Sequence, residues 1–326
     1  MGKFTGLNDQ EWGVVEPLIP YRWGITQSGT QPLHPRKILN TLIWILTTGA
    51  RWCDVPVGEQ WASRACAHKY LGLWKVNGIL ERVLIALQEV CIEWKMIDLT
   101  RLAIDGFFSS GKGGGEKVDH GYKGKGVTTH LLVDGLGQPL ATTSSGASGD
   151  ERREVIPLLK KISGWLKPIV AQGIIPIVEA DKGYDAEELR LQILAMKLFP
   201  YIPHRRMGQY KLEPQVKILE KHRWKVERGI SWLQRKYRRL VVRWERKMKY
   251  WEGFFGAWHF ALLDTFKDLR IFASGSSALE IHKGSHDLAR RASAYQMHGM
   301  SFREYLELAH QLALPIQKPC RRREKR

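Results

Sequence analysis

Cysteine is scarce in this sequence. Cys53, Cys66, Cys91 and Cys320 are all there is in 326 residues. No two of them have the C-x-x-C spacing of a zinc or redox site, and so few make no disulfide framework. A reducing cytosol suits such a chain. Long apolar runs are also missing. The longest, around 39–46, is far short of the ~18 to 20 residues that a membrane span needs. Met1–Pro20 carries acids and no apolar core, so it does not read as a signal peptide. Acidic residues are the third shortage. Fifty-one Lys and Arg against 33 Asp and Glu leave a net charge of +18. That excess calls for an anionic partner, nucleic acid first and an anionic membrane surface second.

What is present is a globular balance, with 44% hydrophobic and 26% charged residues. Residues 7–95 read as helical. Asn8 or Asp9 caps the first pattern, Pro35–Gly49 carries Ile38, Leu42, Ile45 and Leu46 at helical spacing, and Trp61–Tyr70 and Ile79–Trp94 follow. Such short helices form either a helix-turn-helix-like DNA-binding region or a bundle that packs on a catalytic core. From Leu102 the period changes. Leu102–Ile104 and Ile174–Ala180 read as buried strands, and Leu198–Ile202 as another. Val127–Val133 and Leu140–Ser144, split by Asp134-Gly135-Leu136-Gly137, read as a hairpin. Glu151–Ile162, a segment capped at Asp185, and Lys217–Arg239 read as helices. Strands alternating with helices after a hairpin imply a mixed α/β domain.

Three acids stand out. Asp105 and Asp181 each follow an apolar strand, and Glu227 sits within the basic helix. Acids at the ends of core strands cost desolvation unless they are paired or bound to metal. Converging carboxylates hold divalent cations, and two such cations serve phosphodiester cleavage. Each acid alone also reads more plainly: Asp105 and Asp181 as turn or cap residues, Glu227 as the partner of Arg223 four residues earlier. Glu179 is a reserve ligand. His120 and His130 lack ligand spacing and read as structural. Asp119, Asp134 and Asp150 read as turn residues. Neither G-x-x-x-x-G-K-[ST] nor G-x-S-x-G occurs, which argues against a nucleotide P-loop and a serine hydrolase. Residues 205–249 hold sixteen Lys and Arg against four Glu, so +12 of the net charge lies there. Tryptophans are interleaved. The basic residues suit phosphates, and the tryptophans suit a core.

Five blocks then resemble the DDE transposases of bacterial insertion sequences, specifically the insertion-sequence-five family. Leu7-x-x-x-x-Trp12 to Pro20, with Thr48 to Pro56, is similar to the family's helical N-terminal region. Ile104-Asp105-Gly106 resembles the block of the first catalytic Asp. Lys123-Gly124 through His130, then Asp134 to Leu140, resembles the following hairpin. Ala180-Asp181-Lys182-Gly183-Tyr184-Asp185 resembles the second Asp block. Arg223-Trp224-x-Val226-Glu227-Arg228, with Trp232 and Arg238-Arg239-Leu240, resembles the third. Gln234, with Arg235 beside it, stands at a position that is usually basic, and Glu220 stands where the family has Tyr.

The resemblance implies an RNase H-like core over 99–272, after a helical DNA-binding region over 1–98 and before a basic helical extension over 273–326. It implies that Asp105, Asp181 and Glu227 bind two Mg²⁺, with Mn²⁺ able to substitute. It implies double-stranded DNA as partner, both transposon ends and target. Hydrolysis at terminal inverted repeats would come first, then joining of the 3′-OH ends to target. Arg223, Lys225, Arg228, Arg235, Arg238, Arg239, Lys123, Lys125 and Lys182 are the DNA-contacting candidates. A homodimer or larger assembly on DNA, in the cytoplasm at the nucleoid and away from membranes, is the setting it implies. A catalytically inactive DNA-binding derivative and a general RNase H-like nuclease are the alternatives.

Overall fold

A computed structural model describes residues 4, 6–19, 33–93, 95–204 and 224–263. Arg223, the start of the predicted helix 217–239 and the extension 273–326 lie outside them. Four helices come first: α1 (Asp9–Val15), α2 (Pro35–Thr48), α3 (Arg64–Val76) and α4 (Ile79–Glu93). Their ends follow from local chemistry. The Asn8 side chain accepts from the Glu11 N–H at 2.9 Å, and Glu11 accepts from the Asn8 N–H at 2.7 Å. Pro35 opens α2 where its missing N–H costs nothing. The third helix begins later than Trp61, because Ser63 accepts from the Cys66 N–H and sets the cap.

Six strands follow: β1 (Arg101–Ser110), β2 (Asp119–Gly121), β3 (Gly124–Asp134), β4 (Pro139–Gly146), β5 (Ile177–Glu179) and β6 (Phe199–Tyr201). They form one mixed sheet. Along one edge, β1 pairs antiparallel with β3, from Leu102 opposite Asp134 to Ser110 opposite Gly126. Along the other it runs parallel to β5, with Ala103 beside Glu179, and β5 runs parallel to β6. On the far side of β3, β2 pairs with its first residues and β4 with the rest. The predicted hairpin is therefore β3–β4. Its turn is built on Asp134, whose carboxylate accepts from the N–H groups of Asp98, Leu136 and Gln138. The outer edge of β4 is covered by side chains. Gln88 donates to the Leu140 carbonyl at 2.8 Å, Lys161 to Thr142 at 2.5 Å and Lys117 to Ser144 at 2.8 Å.

Each face of the sheet has its own core. Ala103 and Phe107 of β1, with Leu131 and Val133 of β3, face α1 to α4 together with α8 (Trp224–Lys236) and α9 (Met248–Leu263). Leu102 and Ile104, with Leu132 and Val178, face α5 (Val155–Lys161), α6 (Ser163–Ala171) and α7 (Glu187–Ala195). Each fully buried aliphatic side chain contributes roughly 1.5–3 kcal/mol, so both faces hold the sheet firmly.

Several boundaries differ from the sequence reading. The strand containing Asp105 runs on to Ser110, so the acid sits inside β1 and not after it. Glu151–Glu154 is a 3-10 turn ahead of α5, not part of the α-helix. Asp185 does not cap α7. It pairs with Arg190 at 2.9 Å instead. No element was expected at 248–263. There α9 buries Trp251, Phe254, Phe255 and Ala257 against the N-terminal helices.

One DNA-contacting candidate is internal. Arg239 is 4% exposed, in the segment between α8 and α9. Its guanidinium donates to Glu245 at 2.9 and 2.5 Å and to the Ala50 carbonyl at 3.0 Å. A side chain so enclosed has no surface for a phosphate, so its role is to tie this segment to the end of α2. Removing one partner of a buried ion pair costs about 3–5 kcal/mol. Arg239→Ala is expected to lose that much in urea unfolding, against no more than about 0.5 kcal/mol for the exposed Arg235→Ala.

Candidate active site at the carboxyl ends of the parallel strands

The site is built on β1, β5 and the helix laid across them. Strand residues alternate faces. Asp105 therefore shares the face of Ala103 and Phe107, the face on which α8 packs. Ala103 stands beside Glu179 on β5. Continuing that parallel register by two residues sets Asp105 alongside Asp181, just past the end of β5. The Asp105 carboxylate accepts from the Gly106 N–H at 2.7 Å. Asp181 caps a short 3-10 turn over Lys182–Tyr184 and accepts from the Gly183 N–H at 2.6 Å. The cap reading of Asp181 therefore holds.

Tyr184 lies near both acids. Its ring is 1% exposed in the core of the α5–α7 face. Burial raises the pKa of its hydroxyl first, and the carboxylates of Glu151, Asp105 and Asp181 raise it further. The phenol therefore stays protonated. It approaches Glu151 without a hydrogen bond of ordinary geometry. Glu151 reaches over β1 at Gly106. A Cβ added there would lie 3.6 Å from Glu151 Oε2 and 3.3 Å from His130 Nδ1. All three carboxylates are thus near enough to Tyr184 to act on its hydroxyl. The sequence reading missed Tyr184 and Glu151. Tyr184 is three residues past Asp181 and Glu151 follows Asp150, but nothing in the spacing joins two positions so far apart.

Glu227 lies in the first turn of α8 and is exposed. Its helix is seated by Val226, Gly229 and Leu233, which are buried. Lys225 donates to the Gly135 carbonyl, and Arg228 to Leu136 at 3.4 Å while lying over the Trp224 ring at 4.6 Å. These two cations hold α8 to the β3–β4 turn. Lys123, Lys125, Lys182, Arg235 and Arg238 are exposed. Among the described residues no three His, Cys, Asp or Glu side chains are close enough together to hold a metal ion. The oxygen donors of Asp105, Asp181 and Glu227 are nonetheless the hard set that Mg²⁺ or Mn²⁺ takes. No described helix is long and apolar enough to cross a membrane.

The expectation that His130 is structural matches its surroundings. It is fully buried, and its Nε2 lies 2.8 Å from Ser145 Oγ. Burial lowers its pKa to about 4. The unfolded chain binds a proton there near pH 6.5, the folded chain only near pH 4. Stability is therefore lost as pH falls through that window, by about 3 kcal/mol in all. Unfolding measured from pH 7 to pH 4 should show that slope, and His130→Gln should remove it.

Comparison with known proteins adds the family context. A family model described as "Transposase DDE domain" matches residues 97–262. A second, described as "Putative transposase of IS4/5 family", matches 7–84. The chain is 33% identical over 127 residues to the "Putative transposase for insertion sequence element IS402" of Burkholderia cepacia, covering 37% of this chain and 55% of that protein. It is 27% identical over 149 residues to the "Insertion element IS402 uncharacterized 16.2 kDa protein" of the same organism, covering 45% of this chain and 94% of that protein. It is also 33% identical over 99 residues to "Uncharacterized protein y4sN" of Sinorhizobium fredii (strain NBRC 101917 / NGR234), covering 29% of this chain and 74% of that protein. The chain thus spans about half the length of the IS402 transposase it matches.

Proposed function

The chain belongs to the DDE transposases of insertion sequences, with their RNase H-like fold, and from that membership we propose that it cuts and joins DNA at the ends of its own element. The observation that carries this reading is the parallel register of β1 and β5, which ends with Ala103 beside Glu179 and leads two residues on to Asp105 and Asp181, with the helix that bears Glu227 packed against β1. Asp105, Asp181 and Glu227 would hold Mg²⁺, two ions or Mn²⁺ in their place, which when bound polarise the phosphate and activate the attacking oxygen.

The protein's own groups prepare the rest. The Gly106 and Gly183 N–H groups each donate to one oxygen of an aspartate and fix its orientation. Water attacks the phosphorus at the element's end, the P–O3′ bond breaks, and a 3′-OH and a 5′-phosphate remain. The 3′-oxygen then attacks a target phosphate, displacing the target's own 3′-oxygen. Lys123, Lys125, Lys182, Arg235 and Arg238 supply exposed cations for the DNA backbone, and Lys225 and Arg228 keep α8 in register over the site. Terminal inverted repeats as the recognised sequence and a homodimer or larger assembly on two ends complete the reading, at the nucleoid, where such DNA lies.

A plasmid carrying this gene's flanking DNA tests it, with wild type run against Asp181→Asn in Mg²⁺. Asparagine keeps the cap to Gly183 and removes the charge. Wild type should make discrete cuts at repeats and join the ends to a second DNA. The variant should lose cutting and keep its DNA affinity within about two-fold, since backbone contacts carry that affinity. Cutting that survives in the variant removes Asp181 from the site. Binding without cuts in wild type favours a non-cleaving DNA-binding protein, and cuts without joining favour a nuclease. Contact with about six phosphates also means that duplex affinity drops by roughly 10³ between 50 and 200 mM salt, readable by fluorescence anisotropy.

A further inference from the structure

The connection from β2 to β3 is a two-residue turn. Gly121 and Gly124 form the last pair of the ladder, and Tyr122 and Lys123 make the turn. Gly124 has φ +108°, a conformation that suits glycine and lets Tyr122 and Lys123 keep negative φ. The base of this finger is pinned. Asp119 accepts from the Ser148 N–H at 2.9 Å and from Ser148 Oγ at 2.6 Å, and those bonds lower its pKa. Gly121 lies so close to the Ala147 carbonyl that a Cβ would not fit.

At the tip, Tyr122 is fully exposed, at 105% of the reference area. A ring that buries nothing contributes nothing to folding, so the fold gives no reason for it. His120, Lys123 and Lys125 are exposed around it. An aromatic ring on a rigid finger among cations has the parts needed to hold phosphates while the ring enters a base stack. The register sets it apart from the acids. Leu131 stands beside Asp105, and the strand residues Gly124 to His130 lie between it and the turn. That is roughly 23 Å of strand at ~3.3 Å per residue.

We infer that Tyr122 is a wedge that stacks into the DNA away from the reacting phosphate, with Lys123 and Lys125 on the flanking backbone. The inference rests on the DNA reading above, and it assigns a second contact remote from the acids.

The test uses the full chain and two probes: a short paired duplex, and the same duplex with a small unpaired bubble containing 2-aminopurine. A stacking residue prefers a base already out of the helix, because the unstacking cost is gone. Wild type should bind the bubble about ten-fold more tightly than the duplex and change the 2-aminopurine fluorescence. Tyr122→Ala should lose both effects while keeping the wild-type melting temperature, paired-duplex affinity and salt slope. Tyr122→Trp should retain both. Lys123→Gln and Lys125→Gln should each lower the salt slope by about one and leave the bubble preference intact. A wild type without the preference, or a Tyr122→Ala that keeps it, overturns the wedge. A wild type that binds neither probe overturns the DNA reading itself, and this inference with it.

Discussion

The molecule depends on one strand at the centre of its sheet. Arg101–Ser110 pairs with β3 along almost its whole length, pairs with β5 over Arg101–Ala103, and is covered on both faces. Its alternation decides which core each residue joins, so a slip of one position would exchange the two cores and carry Asp105 to the wrong face. The acid is tolerated because its position is only half-buried and its own backbone offers an N–H. A fully buried carboxylate without such partners would cost several kcal/mol.

Charge has the opposite logic from packing. Glu151, Asp105 and Asp181 all act on the Tyr184 hydroxyl, while the chain as a whole carries +18. A cation held between two like-charged carboxylates offsets their repulsion. Anything that binds only the folded chain adds to its stability. Not all the cations are spare, however. Arg239 and Arg243 are internal struts: Arg243 is fully buried and donates to the backbone carbonyls of Glu116, Glu245 and Arg246.

Much of this was legible in the sequence, and the limits have physical causes. Local signals read well: the Asn8 cap, the proline that opens α2, the glycine-bearing turn after Asp134. Asp105 and Asp181 stood out because apolar runs lead into them. By contrast, α9 carries apolar residues on all sides, so it has no period to detect. Tyr184, Glu151 and His130 converge only through strand register and the packing of distant elements. The charge of Arg239 was plain, but its burial was not, because Glu245 lies at no helical spacing from it.

The outer margin of β4 has a consequence for how copies of the protein coexist. An uncovered strand margin is a template for any extended peptide, and molecules crowded onto one DNA would be prone to join sheet to sheet. Here Gln88, Lys161 and Lys117 already fill the carbonyls of Leu140, Thr142 and Ser144. An incoming strand would have to displace two ammonium groups and an amide to reach those carbonyls. This margin of the sheet is thereby guarded against an added strand.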